Sequence, residues 1–194
     1  MSLEILTQPT EEPVDVSEAK RHLRLAAGED VQIALLIEAA RERCEREIDR
    51  AIMSTEFRFT RRSWGGISIE LPKPPLISVS EVKYIDTGEA EQTLTATTEY
   101  TADTTATPGR IWLVKGQSWP SISSDAAHPI QITYRGGYAS ANVVPSAIKQ
   151  AIMLYVGHYY ENREQVTVGG SGAELPKAAT DLLAAFKWGN EVFV

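Results

Sequence analysis

The 194-residue chain predicts an α+β fold, a helical core interrupted by an inserted, mostly antiparallel β region. Three observations predict it. Residues 30–50 carry an unbroken helical period, residues 55–138 carry repeated period-2 alternation, and the helical period returns after Pro145. The stretches read as an N-terminal arm and helical hairpin over 1–54, an inserted β region over 55–140, and two C-terminal helices with a tail over 141–194. The helical parts are expected to pack together as one compact unit.

Residues 1–13 are polar, acidic and twice interrupted by Pro, and predict an extended arm. Ser17 then opens a short helix with Ala19, His22 and Leu23 facing inward, ended by Ala27-Gly28. Asp30 starts the long helix and is placed to cap its first turn. Ile33, Leu36, Ile37, Ala40, Cys44 and Ile48 form its apolar stripe. Charged pairs such as Arg41–Glu45 and Arg43–Glu47 fill the far side. Val31, Leu35 and Ala39 form a second apolar strip opposite the first. That strip meets either a neighbouring segment of the same chain or another subunit.

Phe57 and Phe59, then Ile67, Ile69 and Leu71, then Ile130, Ile132 and Tyr134 alternate with polar residues, as strands with one buried face do. The alternation over 77–86 slips near Ser80-Glu81, which predicts a bulge or a strand covered on both faces. Short strand runs lie near 92–94 and 110–114. Asp86-Thr87-Gly88 predicts a hairpin turn, and Pro72, Pro74 and Pro75 a stiff connection. The Thr- and Ala-rich residues 93–108 predict a surface loop with weak strand character, and 119–129 an irregular excursion.

Pro145 suits the first turn of a helix, whose stripe is Ile148, Ala151, Ile152, Tyr155, Val156 and Tyr159, with Met153, Leu154 and Tyr160 apolar on other faces. Gly157 inside it costs about 1 kcal/mol relative to Ala. Close approach of another backbone, or a kink, would account for it. Residues 167–173 read as a flexible link. A last helix follows Pro176, with Ala178, Ala179, Leu182, Leu183 and Phe186 along one side. The chain then closes on an apolar, aromatic stretch, 188–194.

A net charge of −7 argues against free-standing nucleic-acid binding, which needs a basic patch. It suits a protein that surrounds DNA without gripping it. The single cysteine, Cys44, excludes an internal disulfide framework and reads as a buried thiol on the long helix. The first residues lack the basic start and apolar core of a signal peptide, and no apolar run has the length of a membrane span. A protein made in a reducing cytoplasm is expected.

No catalytic, cofactor or metal motif stands out. His22, His128 and His158 have no partner residues around them, and Gly169-Gly170-Ser171-Gly172 lacks the Lys and Ser/Thr of a phosphate loop. Arg163, at a helix end, is placed to complement the dipole. Carboxylates are dispersed, so spacing picks out no acid/base pair. Arg58, Arg61, Arg62 and Trp64 form one basic and aromatic cluster on an expected sheet edge, either a solvated edge or a docking patch. Trp112, Trp119 and Tyr138 belong to core or interface. The expected outcome is a non-enzyme without cofactor or metal.

The order of several stretches resembles a known family. PVDVSEAKRHLRL (13–25), IEAARERCEREIDRAI (37–52), LPKPPLISVSEVKYID (71–86), GRIW (109–112), SWP (118–120), ITYRGGY (132–138), VPSAIKQAIMLYVGHYYENRE (144–164) and LPKAATDLLAAFK (175–187) carry it. Together they resemble the head–tail connector (adaptor) proteins of tailed phages and prophages, of the gp6-like and gp8 DNA-packaging types. The Thr/Ala-rich loop and the apolar tail are outside the resemblance. It implies a structural virion subunit, roughly a dozen copies of which form a cyclic ring. The ring sits at the head–tail junction between the portal protein and a tail-side stopper, around a channel for DNA. The implied partners are the portal, the stopper and further copies of itself, with host cytoplasm as the site of assembly. Val31, Leu35 and Ala39 become a candidate subunit contact. Trp188, Val192, Phe193 and Val194 become a candidate docking tail for the portal or an adjacent subunit, or pack on the chain's own core. A minor capsid or tail-completion protein is the alternative, and a packaging-associated hydrolase a more distant one.

Overall fold

The computed structural model describes residues 1–25, 28–162 and 176–188. Its described residues hold four α-helices and eight antiparallel strands in two sheets, the expected α+β class. The chain divides into two compact units, Met1–Thr10 with Met53–Ala139, and Glu11–Ile52 with Ser140–Val194.

In the second, helical unit, α1 spans Val16–Leu23 and is capped by Asp15, not opened by Ser17. Asp15 is extended, and its carboxylate accepts from the Glu18 N–H at 2.7 Å and the Ser17 hydroxyl at 2.6 Å. Those bonds, the Ser17 one first, hold its carboxyl below the usual range. The helix closes before Ala27-Gly28, at Arg24, whose left-handed backbone (φ 57°) lets its N–H and that of Leu25 return to Arg21 and Lys20. Ala19 is buried as predicted, but His22 is exposed.

The long helix, α2, spans Asp30–Ile48 and buries Ile33, Ile37, Ala40, Cys44 and Ile48, with Leu36 half-buried. Asp30 does not cap it. It is already helical, and its carboxylate pairs with Lys20 of α1. Arg41 also departs from expectation: it is buried rather than on the solvent side, because Glu12 reaches it from the segment before α1.

Helix α3, Ser146–Glu161, buries Ile148, Ala151, Ile152, Met153, Tyr155 and Val156, so it is enclosed on more than one side. The Tyr155 hydroxyl donates to Glu47 of α2 at 2.8 Å. Gly157 faces side chains of α1, and a methyl there would meet Leu23 only at 3.9 Å, an ordinary contact. No close backbone approach requires this glycine. Helix α4, Lys177–Leu183, buries Ala179 and Leu183 but leaves Ala178 exposed. The Trp188 N–H donates to the Ile48 carbonyl at 2.8 Å, returning the chain to the end of α2.

The β unit holds β1 (Ser2–Thr7), β2 (Thr55–Arg61), β3 (Ser68–Glu70), β4 (Leu76–Ile85), β5 (Glu91–Thr93), β6 (Tyr100–Asp103), β7 (Arg110–Leu113) and β8 (Ile130–Gly136). One sheet runs β1-β2-β8-β4-β5 and the other β3-β7-β6. The expected N-terminal arm is thus strand β1, with Leu3 opposite Phe59 and Ile5 opposite Phe57. Its partner strand begins only at Thr55, so no local pattern announced the pairing. The slip at Ser80-Glu81 is a register shift against β8 between Val79 and Glu81. Asp86 builds the predicted hairpin by accepting from the Gly88 and Ala90 N–H groups at 2.8 and 3.0 Å. One expectation fails here: Ile67 is 68% exposed, preceding β3 rather than facing the core. The weak strand character of the 93–108 stretch is the short strand β6, where Tyr100 is buried.

Phe57, Phe59, Ile132 and Tyr134 centre the apolar face of the larger sheet, and Tyr134 stacks on Phe57 at 5.5 Å while its hydroxyl donates to the Pro72 carbonyl at 2.6 Å. After β8 the chain turns through Gly137, whose φ of +108° and 2.2 Å gap between a built Cβ and the Met53 oxygen leave room for hydrogen only.

Candidate functional site

Among the described residues, no group of three His, Cys, Asp or Glu side chains is placed to hold a metal. His22 and His128 are exposed and His158 half-buried. Burial, then the charges of Glu47 and Glu45, push the Cys44 thiol up to about 12. A thiol held protonated in an apolar interior is a packing residue. Arg163 and the Gly169-Gly170-Ser171-Gly172 segment lie outside the described residues. What the described residues present to solvent is surfaces.

The first surface is on α2. Val31 is 78% and Leu35 60% exposed, one turn apart, and Ala39 is exposed a turn further on. In a helix the i, i+4, i+8 positions share a face, so the three make one continuous apolar strip. Ala34, beside it, also lines a cleft of about 460 Å³ floored by Pro13, Val14 and Ile37 and rimmed by Glu11, Asp15, Glu18 and Lys149. The strip therefore borders an acidic recess.

The basic cluster does not form as one patch. Strand β2 lies between β1 and β8, so it is no sheet edge. Arg58 pairs with Glu4 of β1 at 3.3 Å, and Arg61 lies over the Phe59 ring at 6.0 Å. Trp64 is buried, stacked on Trp119 at 4.6 Å, and donates its indole N–H to the Pro120 carbonyl at 2.9 Å. Arg62 alone is left exposed. An indole with its one polar atom satisfied packs in preference to facing water.

A surface that sequence reasoning missed is the outer edge of β1. Ile5 is 49% and Met1 85% exposed there. The alternation of Leu3 and Ile5 was its one local signal. Of the candidate tail, Trp188 is half-buried against the end of α2, while Val192, Phe193 and Val194 lie outside the described residues.

A family model of head completion proteins matches residues 14–183, from the segment before α1 to the end of α4. The chain belongs to the head completion protein family. Solved structures agree. The fold is similar to a chain in the neck of an empty gene transfer agent particle computed with C6 symmetry, at 25% identity and a TM-score of 0.78, covering 96% of this chain and 95% of that one. A chain of the native gene transfer agent virion matches at 24% identity and a TM-score of 0.78, with the same coverage. One from the native neck computed with C12 symmetry matches at 23% and 0.77, again over 96% and 95%. No curated protein matches the sequence. Members of a head completion family have a structural task, so this protein is a structural component of the head–tail connection of a phage-like particle.

Proposed function

We propose that this head completion protein is the repeating subunit of a ring at the head–tail junction of a tailed phage, a prophage or a related particle. The match of the family model across 14–183 carries the reading, supported by likeness to a chain of a particle neck with cyclic symmetry. The ring stacks on the portal, meets a tail-side stopper below, and leaves a channel for DNA. Cyclic assembly is heterologous, so each copy needs two different, complementary faces. The Val31–Leu35–Ala39 strip supplies one of them, since a continuous exposed apolar strip is stabilised by burial against a neighbour. The terminal residues Trp188, Val192, Phe193 and Val194 supply a further contact, to the portal or the adjacent copy. The charge of −7 keeps DNA sliding rather than bound. Subunits made in the host cytoplasm join the virion after the head is filled.

Electron microscopy of the purified chain mixed with its portal protein tests this. The expected image is a ring stacked on the portal. Absence of association under conditions where both proteins are folded would overturn the reading.

A further inference from the structure

We propose that the outer edge of β1 docks an extended segment of a different protein of the junction, which joins the larger sheet as an added strand. That the neighbour is a junction protein rests on the function proposed above; the edge itself does not.

Strand β1 is the terminal strand of its sheet, and among the described residues no strand pairs with its outer side. Its backbone therefore presents a row of N–H and C=O groups complementary to one kind of ligand, another extended chain. The side chains say the same. Along one row of the sheet Tyr134 and Phe57 are buried, yet Ile5, the next residue in that row, is 49% exposed. The cover over the apolar face stops short of β1. The usual protections of an edge are sparse too. No Pro or Lys occurs within Ser2–Thr7, and the only charge is Glu4, 61% exposed across from Arg58.

A second copy of β1 is a poor occupant. Antiparallel self-pairing centred on the strand sets Glu4 against Glu4 of the other copy, and like charges directly opposite are unfavourable. Moving the centre to Ile5 runs into the register shift between Ile5 and Thr7. The fitting occupant is a strand of a different protein with apolar residues beside Leu3 and Ile5 and a basic or hydroxyl side chain beside Glu4.

Amide hydrogen exchange of the full chain, alone and after adding the purified portal protein or the purified tail-side protein of the same particle, tests this. With one of them, the outward amides of Ser2–Thr7 are expected to slow at least about tenfold. Ile5→Lys is expected to weaken that association at least about tenfold, and Ile5→Val to leave it unchanged. Association without slowing at Ser2–Thr7 overturns the inference and leaves the proposed function standing. So does slowing when the chain self-assembles with neither partner present, since the occupant is then another copy. Association with neither protein overturns the proposed function and this inference with it. Should Ile5→Lys misfold, the wild-type exchange decides alone.

Discussion

Arg41, only 3% exposed, is held from two sides. Its Nε donates to Glu12 at 2.8 Å, from the segment before α1, and its Nη1 to Glu45 at 3.0 Å, one turn along α2. Burial disfavours the guanidinium charge, but the Glu12 bond and the Glu45 charge outweigh it and raise its pKa. Glu45 also accepts from the Ile52 N–H at 2.7 Å, so one carboxylate ties the end of α2 to the chain leaving it. Glu12→Gln leaves a buried cation with one carboxylate. A loss of about 1.5–3 kcal/mol is expected, read from the urea midpoint, and an unchanged midpoint would show that Glu45 alone suffices.

Leu35→Glu places a charge in the middle of the exposed α2 strip. Leu35 is 60% exposed, so stability should stay within about 0.5 kcal/mol of wild type. Ring formation on the portal should be lost. A normal ring in electron micrographs would exclude this face as the subunit contact.

Gly137→Ala puts a methyl where a built Cβ lies 2.2 Å from the Met53 oxygen, at a φ of +108°. Both the clash and the backbone conformation oppose it, so a loss of at least about 2 kcal/mol is expected. Gly157→Ala is the control. It has space and a helical backbone, and should be neutral or stabilise by up to about 1 kcal/mol. The thermal midpoint should fall for Gly137→Ala and hold or rise for Gly157→Ala.

Acid should destabilise the chain through three capped carboxylates. The Ser17 hydroxyl for Asp15, the Gln92 amide for Asp86 and the Thr105 hydroxyl for Asp103 are the leading causes that hold each carboxyl below its ordinary range. A lowered folded-state value contributes stability above the unfolded value, near 4, and loses it as pH falls through the folded value. Urea midpoints should therefore decline below about pH 4, less steeply in Asp86→Asn. A flat profile in wild type from pH 5 to 3 would contradict this.

Cys44 should resist alkylation at pH 8 in the folded chain, its thiol being buried and pushed up to about 12. Reaction with iodoacetamide should wait for unfolding and accelerate sharply in urea. Native-state labelling at the rate of a free thiol would show that α2 opens.

Legibility in the sequence followed the range of the interaction. The stripes of α2 and α3 are periodic, so Ile33, Ile37 and Cys44, or Ile148, Ile152 and Tyr155, announced their burial through spacing alone. The Asp86 hairpin was equally visible, because its hydrogen bonds close within six residues. Strand β1 was not. Its hydrogen-bonding partner is Thr55–Arg61, and no local signal says that two distant stretches pair. That one pairing also turned β2 from a sheet edge into an interior strand and took Arg58 into a pair with Glu4, while Trp64 left the expected patch by stacking on Trp119.

The sequence by itself determined the α+β class, the order of the helices, the second apolar strip on α2, and membership of a head–tail connector family, since each rests on periodicity or on motifs in linear order. Only the tertiary structure decided that Arg41 is buried between two carboxylates, that Trp64 stacks inside the β unit, and that β1 ends its sheet with Ile5 half uncovered. Those outcomes depend on which distant residues arrive alongside, and burial is a property of the neighbours rather than of the residue.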